Sequence, residues 1–308
     1  MIFQNRQAVG MTEFEKSIHG LPHVFDIHSE QGNWTWDTFL SLARAFQNSG
    51  DGKFAIDGYH PENEFLTSTG TPLVGNDGTQ IINNMYSPNV ERAENLLATL
   101  QKENLRYPRH ELNNWSTNPK AWASGDTLFW ADGGTWVYDN TISPFVEKFA
   151  WADDEVKVVP FPRDPQADAY YQGYDTFGFL VPKGAKNMDG ALEFINLFRA
   201  YDVDPVIQAQ VKNDHIKPEK IYFEKGSNEG KEKWQITWGE QEYDLWREMC
   251  DPANFSFINE DAYGFTSDLQ SQLSTVVMDV VENGSSWTQT SAEISPVVDS
   301  VISEYALS

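Results

Sequence analysis

The sequence predicts an α/β protein on three observations. Amphipathic segments of helical period recur along the chain, short apolar runs of strand length lie between them, and no internal repeat points to a solenoid or propeller. The first helix opens at Thr35-Trp36-Asp37, where Thr35 is placed to cap and Asp37 suits the positive first turn. Its apolar face runs through Trp36, Phe39, Leu40, Ala43 and Phe46, and Gly50-Asp51-Gly52 ends it. Gly70 to Gly78, rich in Gly, Thr, Asn and Asp, reads as loop. Ser87-Pro88 starts a second helix with Ser87 as cap and Pro88 in the first turn; its face is Val90, Ala93, Leu97 and Leu100. Residues 128–131, 156–159 and 177–181 read as strands. A third helix, 189–200, turns Ala191, Leu192, Ile195 and Phe198 inward, and 213–240 is polar enough to be a long surface excursion. Residues 267–282 follow the helical period. Ser286-Trp287-Thr288-Gln289 then fits a capping box before a last helix facing inward through Ile294, Val297, Val298, Val301, Ile302 and Tyr305, with Pro296 as a kink candidate.

Composition narrows the function. The 308 residues hold 46 acidic and 22 basic side chains, a net charge of −24, which argues against nucleic acid because no basic face can track phosphates. The length allows one large or two ordinary domains, and no apolar run approaches the roughly 20 residues of a membrane span. A lone cysteine, Cys250, excludes an internal disulfide framework and a multi-cysteine metal site, and reads as a buried structural thiol. No cofactor is called for. The distinctive feature is the aromatic content, 14% of the chain.

Chemistry-bearing motifs are scarce. There is no nucleophile elbow, Walker loop, dinucleotide fingerprint or His-Glu-x-x-His, so the sequence does not read as an enzyme. His19, His23 and His28 read as surface histidines rather than a metal site, and Asp153-Asp154-Glu155 as a solvated loop. A glycan-active enzyme would need two carboxylates about 5–10 Å apart beside an aromatic platform, and nothing singles out such a pair. The aromatics are more informative. Trp136 follows Gly133-Gly134-Thr135, Tyr174 follows Gly173, Tyr263-Gly264-Phe265 follows an acidic stretch, and Trp115 follows two Asn. Sugars offer an apolar C–H face and a rim of hydroxyls, which suit flat rings beside Asn, Asp and Glu.

Five segments, in order, resemble the family 1 extracellular solute-binding proteins, the sugar receptors of ABC importers. They are Gly32-Asn33-Trp34-Thr35-Trp36-Asp37-Thr38-Phe39, Gly125 to Trp136, Val158-Val159-Pro160-Phe161-Pro162, Phe179 to Asn187 followed by Ala191 to Ile195, and Gly284 to Tyr305. The resemblance implies a periplasmic-binding-protein-like type II fold, two α/β lobes closing about a hinge on a sugar. It implies that 1–175 is mostly lobe two, 176–223 a remnant of lobe one, and 224–308 a return to lobe two. Met1-Ile2-Phe3-Gln4-Asn5 is similar to a strand found roughly a hundred residues into family members, so lobe one is expected to be incomplete. Residue by residue, Trp136 matches the sugar-stacking aromatic and Tyr174 and Asp175 a cleft-facing position. Tyr263 and Phe265 match a late ligand aromatic, and His60, Glu62 and Asn63 the early cleft loop. The implied ligand is an oligosaccharide. The implied partners are importer membrane subunits, or a chain supplying the missing half-lobe, and the implied location is extracellular or at the cell surface, although the chain shows no signal peptide or lipid-anchor cysteine. The alternative is a solute-binding-like subunit serving as an interaction component of a larger assembly.

Overall fold

The computed structural model describes residues 2–5, 34–58, 61–108, 117–118, 121–122, 124–131, 156–174, 179–216, 221–222, 232–233, 240–259, 280 and 283–306. Its principal sheet has four strands in the order β2-β5-β1-β6, namely Phe54–Gly58, Thr127–Ala131, Ile2–Asn5 and Val156–Val159. β2 and β5 run parallel, whereas β1 is antiparallel to both β5 and β6. All five residues of β5 are buried, as expected of a central strand covered on both faces. Successive β5 residues face opposite sides. Phe129 packs against Trp34 and Phe39, with ring centroids 5.9 and 5.4 Å away, and Trp130 packs against Trp122 at 5.6 Å.

Helix α1 (Trp36–Gln47) lies on β2 and buries Trp36, Phe39, Leu42, Ala43 and Phe46. Its expected cap is not made: the Thr35 side chain caps nothing, and the Trp36 amide donates to the Arg163 carbonyl at 3.0 Å. The helix start is thus fixed by a tertiary bridge between residues 35 and 163. Helix α2 (Pro61–Thr67) follows β2 directly and adds Phe65, which meets Phe39 at 5.4 Å and Phe161 at 4.6 Å. Each such ring pair contributes about 0.5–1.5 kcal/mol beyond area burial. Helix α3 (Pro88–Lys102) starts as expected, Ser87 Oγ accepting from the Asn89 amide at 3.3 Å. It buries the four expected apolar residues together with Leu96 and Glu94.

The stretch 70–78 is not all loop. Val74–Asn76 (β3) pairs with Ile81–Asn83 (β4), and its polar composition serves the connecting turn. There Asp77 Oδ1 accepts from the Thr79 hydroxyl at 2.6 Å and from the amides of Thr79 and Gln80 at 2.8 and 2.9 Å, which together hold the Asp77 carboxyl below its ordinary pKa. A separate parallel pair joins β7 (Tyr171–Tyr174) to β10 (Ser256–Asn259), and α2 packs against β7. The strand expected over 177–181 does not form across 179–181, its described part.

Helices α4 (Met188–Val203) and α5 (Pro205–Ile216) come next. Asn187 caps α4 through the Gly190 amide at 3.0 Å. The expected inward face of α4 is corrected by the structure: none of its residues is buried, and Leu192 and Phe198 are among the exposed hydrophobics. The described parts of the stretch 213–240 belong to short elements. α5 runs into it, the short strands β8 (Ile221–Tyr222) and β9 (Glu232–Lys233) pair within it, and α6 (Glu240–Met249) begins at its end. Lys212 on α5 pairs with Asp244 on α6 at 2.7 Å. Cys250, expected inside, is exposed at the end of α6, although local desolvation raises its thiol pKa. The last helix, α7 (Trp287–Ala306), returns onto β4 and α3. Trp287 Nε1 donates to the Met85 carbonyl at 3.1 Å, and Asn83 Nδ2 donates to Asp299 Oδ1 at 2.8 Å. Val298 is fully buried, whereas Val297, expected inward, is exposed. The helix expected over 267–282 lies mostly outside the described residues.

Candidate functional site

Two parallel strand pairs organise the candidate site. β2 and β5 end together, with Gly58 registered against Ala131. β7 and β10 also end together, with Tyr174 registered against Asn259. Parallel strands leave their carboxyl ends without a connecting hairpin, and ligands of open α/β sheets bind beyond those ends. In the sequence, the residues proposed as ligand contacts come at, or within six positions after, the last residues of these four strands, and of them Tyr174 and Glu62 are described. His60 and Glu62 follow β2, Trp136 follows β5, Tyr174 closes β7 with Asp175 next, and Tyr263 and Phe265 follow β10.

The β2–β5 terminus depends on close backbone approach. Gly58 has φ +121°, and a Cβ there would overlap the Ala131 carbonyl. No other residue brings the two ends this near without strain. The adjoining Asp57 is 1% exposed and accepts two backbone hydrogen bonds, from the Gly58 amide at 2.8 Å and the Asn118 amide at 2.7 Å. The buried carboxylate thereby fastens residue 118, whose Nδ2 donates to Tyr107 Oη at 2.6 Å, beside the strand end.

At the β7–β10 terminus Tyr174 is 40% exposed and stands edge-on to Phe257, with centroids 6.2 Å apart and planes at 86°. The strand beneath is held firmly. Tyr170 Oη donates to the Trp34 carbonyl at 3.1 Å, and its ring meets Phe255 at 5.3 Å. Tyr171 lies over Gly70, where a Cβ would strike the ring. Its hydroxyl donates to Asp168 Oδ1 at 2.7 Å, and that bond raises the Tyr171 pKa. Tyr174 is therefore an exposed ring on a rigid mount.

Glu62 has a different placement from the one expected. It is buried, and its Oε1 pairs with Arg106 Nη2 at 2.5 Å. The pair is part of the interior rather than a cleft wall, because Glu62 sits in the first turn of α2 with that helix packed on α3. Glu94 of α3, also fully buried, contributes a second carboxyl. Neither of its oxygens has a hydrogen-bond partner among the described residues. Burial, with the nearby Glu62 charge, pushes the Glu94 pKa well above the ordinary carboxylate range. Both effects favour the protonated form of Glu94.

His60, Trp136, Asp175, Tyr263 and Phe265 lie outside the described residues, as do Trp115 and His19, His23 and His28. Among the described residues no group of three His, Cys, Asp or Glu side chains is placed to hold a metal ion. Phe257 was missed in the sequence. Its signal was an aromatic two residues before the end of a β-rich run, Ser256-Phe257-Ile258-Asn259.

The fold is that of the periplasmic-binding-protein-like α/β class. The family profile described as bacterial extracellular solute-binding protein matches residues 18–202, and the chain belongs to that family. No curated protein sequence matches the chain. Solved structures similar to it include the sugar-binding protein MalE of Xanthomonas citri, at 12% identity and a TM-score of 0.60, with 100% of this chain and 69% of that one covered. A chitin oligosaccharide binding protein gives 15% identity, a TM-score of 0.60 and coverage of 99% and 70%. UgpB of Mycobacterium tuberculosis, in complex with glycerophosphocholine, gives 13%, 0.59, and 99% and 68%. No helix among the described residues is long and apolar enough to cross a membrane.

Proposed function

We propose that this chain is a non-catalytic receptor for an oligosaccharide and serves an ABC-type importer at the cell surface. One observation supports the reading: the exposed Tyr174 ring closes a strand that pairs in parallel with β10, and His60, Trp136, Asp175, Tyr263 and Phe265 come within six positions in sequence after the ends of parallel-paired strands. Exposed Tyr174 stands at one of those ends on a rigid strand. Rings suit the C–H face of a sugar, while Asp175 and His60 supply hydrogen bonds to its rim. The sugar-binding MalE and the chitin oligosaccharide binding protein share the fold, which supports a saccharide ligand. Ligand would act by favouring a closed arrangement of the lobes, shifting the equilibrium by its differential affinity.

Intrinsic tryptophan fluorescence of the purified chain, titrated with mono- and oligosaccharides, tests the proposal. A saturable change that disappears in Trp136→Ala supports it. Glycerophosphocholine, the ligand seen in UgpB, belongs in the same panel. Saturation by it alone would replace the saccharide with a phosphodiester. A flat response from a folded chain would favour the second reading, an interaction subunit, which one observation supports: the bare apolar surface of α4.

A further inference from the structure

We infer that Gln172 sets the specificity of the proposed saccharide site, its side-chain amide pairing with two adjacent hydroxyls of the sugar ring that Tyr174 holds. The inference rests on the saccharide reading above. Its starting point is the β7–β10 ribbon. Successive strand residues face opposite sides, and residues registered across a pair face the same side. Gln172 is registered against Phe257 and Tyr174 against Asn259, so Gln172, Tyr174 and Phe257 share one face. Tyr170 and Phe255, whose rings meet at 5.3 Å, continue that face toward the interior. Tyr171, on the opposite face, lies over Gly70.

Exposure rises along the shared face toward the strand end. Tyr170 and Phe255 are buried, Gln172 and Phe257 are half-buried, and Tyr174 is exposed. Gln172 therefore brings an amide into a row of rings, at the step where the interior opens to the surface. Tyr170 gives its hydroxyl proton to the Trp34 carbonyl, and Phe255 and Phe257 carry no polar side-chain atom. These neighbours leave the donors and the acceptor of the amide to other partners, and a polar group withdrawn from water without partners is costly.

A sugar ring supplies such partners. Phe257 meets Tyr174 with planes at 86°. A perpendicular contact takes up at most one face of the Tyr174 ring and leaves another for the C–H face of a sugar. Residues i and i+2 of a strand lie about 6–7 Å apart, the scale of a pyranose with its hydroxyls, so the rim of a sugar on Tyr174 reaches Gln172. An amide presents N–H and C=O side by side, which matches two neighbouring hydroxyls, one accepting and one donating. A site built to bond a hydroxyl rejects the analogue that lacks it. Gln172 thus selects a sugar with two free adjacent hydroxyls over its deoxy analogues.

The test is calorimetric titration of the full 308-residue chain and its Gln172→Leu variant with maltotriose, cellotriose, chitotriose and β-1,6-galactobiose. Monodeoxy analogues of the tightest binder among these four follow. Gln172→Leu should raise the Kd of that saccharide about tenfold. Loss of one hydroxyl of the adjacent pair should weaken binding to the parent chain by a similar factor, yet change the Kd of Gln172→Leu less than about twofold, because the contact is already gone. Gln172→Glu keeps shape and polarity but loses the N–H donor; it repeats the cycle if the Leu chain does not fold, with the same loss of coupling expected. A Gln172 variant that binds as tightly as the parent would overturn the inference. So would one weakened by the same factor for the saccharide and every deoxy analogue, since that marks a purely structural role. Both outcomes leave saccharide binding by the parent chain intact. A parent chain that binds none of the four sugars refutes the saccharide reading itself, and this inference with it.

Discussion

Glu94→Gln separates a protonated interior carboxyl from a charged one. The folded chain raises the Glu94 pKa above its ordinary value of 4.5, chiefly through burial and then through the Glu62 charge. A carboxyl with a raised folded pKa binds a proton that the unfolded chain has released. Its contribution to stability is complete below the unfolded pKa of 4.5 and falls as pH rises toward the folded pKa. Across that window one proton of difference gives a slope of up to about 1.4 kcal/mol per pH unit. Gln keeps the shape and neutrality of the protonated acid and removes the titration. Its amide N–H groups, unpartnered in the same pocket, add a destabilising offset of about 1–3 kcal/mol that does not vary with pH. The assay is urea unfolding of both proteins at half-unit steps from pH 4 to 9, following tryptophan fluorescence. The other acids contribute equally to each chain, so the difference between the two curves isolates this site. That difference should shift steadily in favour of the variant as pH rises above 4.5. Parallel curves over the whole range would show that folding does not raise the Glu94 pKa, and the reading of a desolvated carboxyl facing the Glu62 charge would be wrong.

Other substitutions probe the rest of the framework. Phe129→Ala removes the ring shared by Trp34 and Phe39 on the central strand and should cost about 3–5 kcal/mol in the same unfolding assay. Gly58→Ala must force apart the ends of β2 and β5. It should lower the midpoint of thermal unfolding and, if saccharide binds beyond these strand ends as proposed, weaken that binding with it. Tyr174→Ala removes an exposed ring, so it should leave the stability within about 0.5 kcal/mol of the parent. If the ring stacks on a sugar, its loss weakens binding about tenfold in the fluorescence titration.

Much of the framework was legible because local signals and tertiary demands agree. Ser87-Pro88 encodes the start of α3 in a side-chain bond and a fixed φ, and no distant residue alters it. At α1 the periodic face was legible but the cap was not, because the Arg163 carbonyl takes the Trp36 amide from far along the chain. Trp34 follows the same rule. It belongs to no helical face, yet it is fully buried with Nε1 donating to the Pro160 carbonyl at 2.7 Å, a partner only the fold supplies. Glu94 was detectable in principle: it lies four residues after Val90 and three before Leu97, inside the apolar stripe, where a charged residue is an anomaly. Helical period identifies which face is apolar but not what covers it, and α4 shows that difference.

The residues proposed from the sequence have a topological feature in common. Trp136, Tyr174, Tyr263 and His60 are scattered through the sequence, and none belongs to a motif with chemistry of its own. What they share is position: each stands at or shortly after the end of a strand whose neighbour runs parallel to it. Parallel pairing sends both chains out of the sheet on the same side, so residues far apart in sequence leave the scaffold together. The Gly58–Ala131 contact and the Tyr170 anchor hold those exits rigid, so the loops beyond can vary in sequence while their starting points stay fixed. Glu62 marks the limit of this reasoning. It too follows β2, but four residues on the chain has already entered α2, and a helix packed against α3 turns that side chain toward Arg106. Proximity to a strand end therefore stops being a guide to exposure once the next element begins.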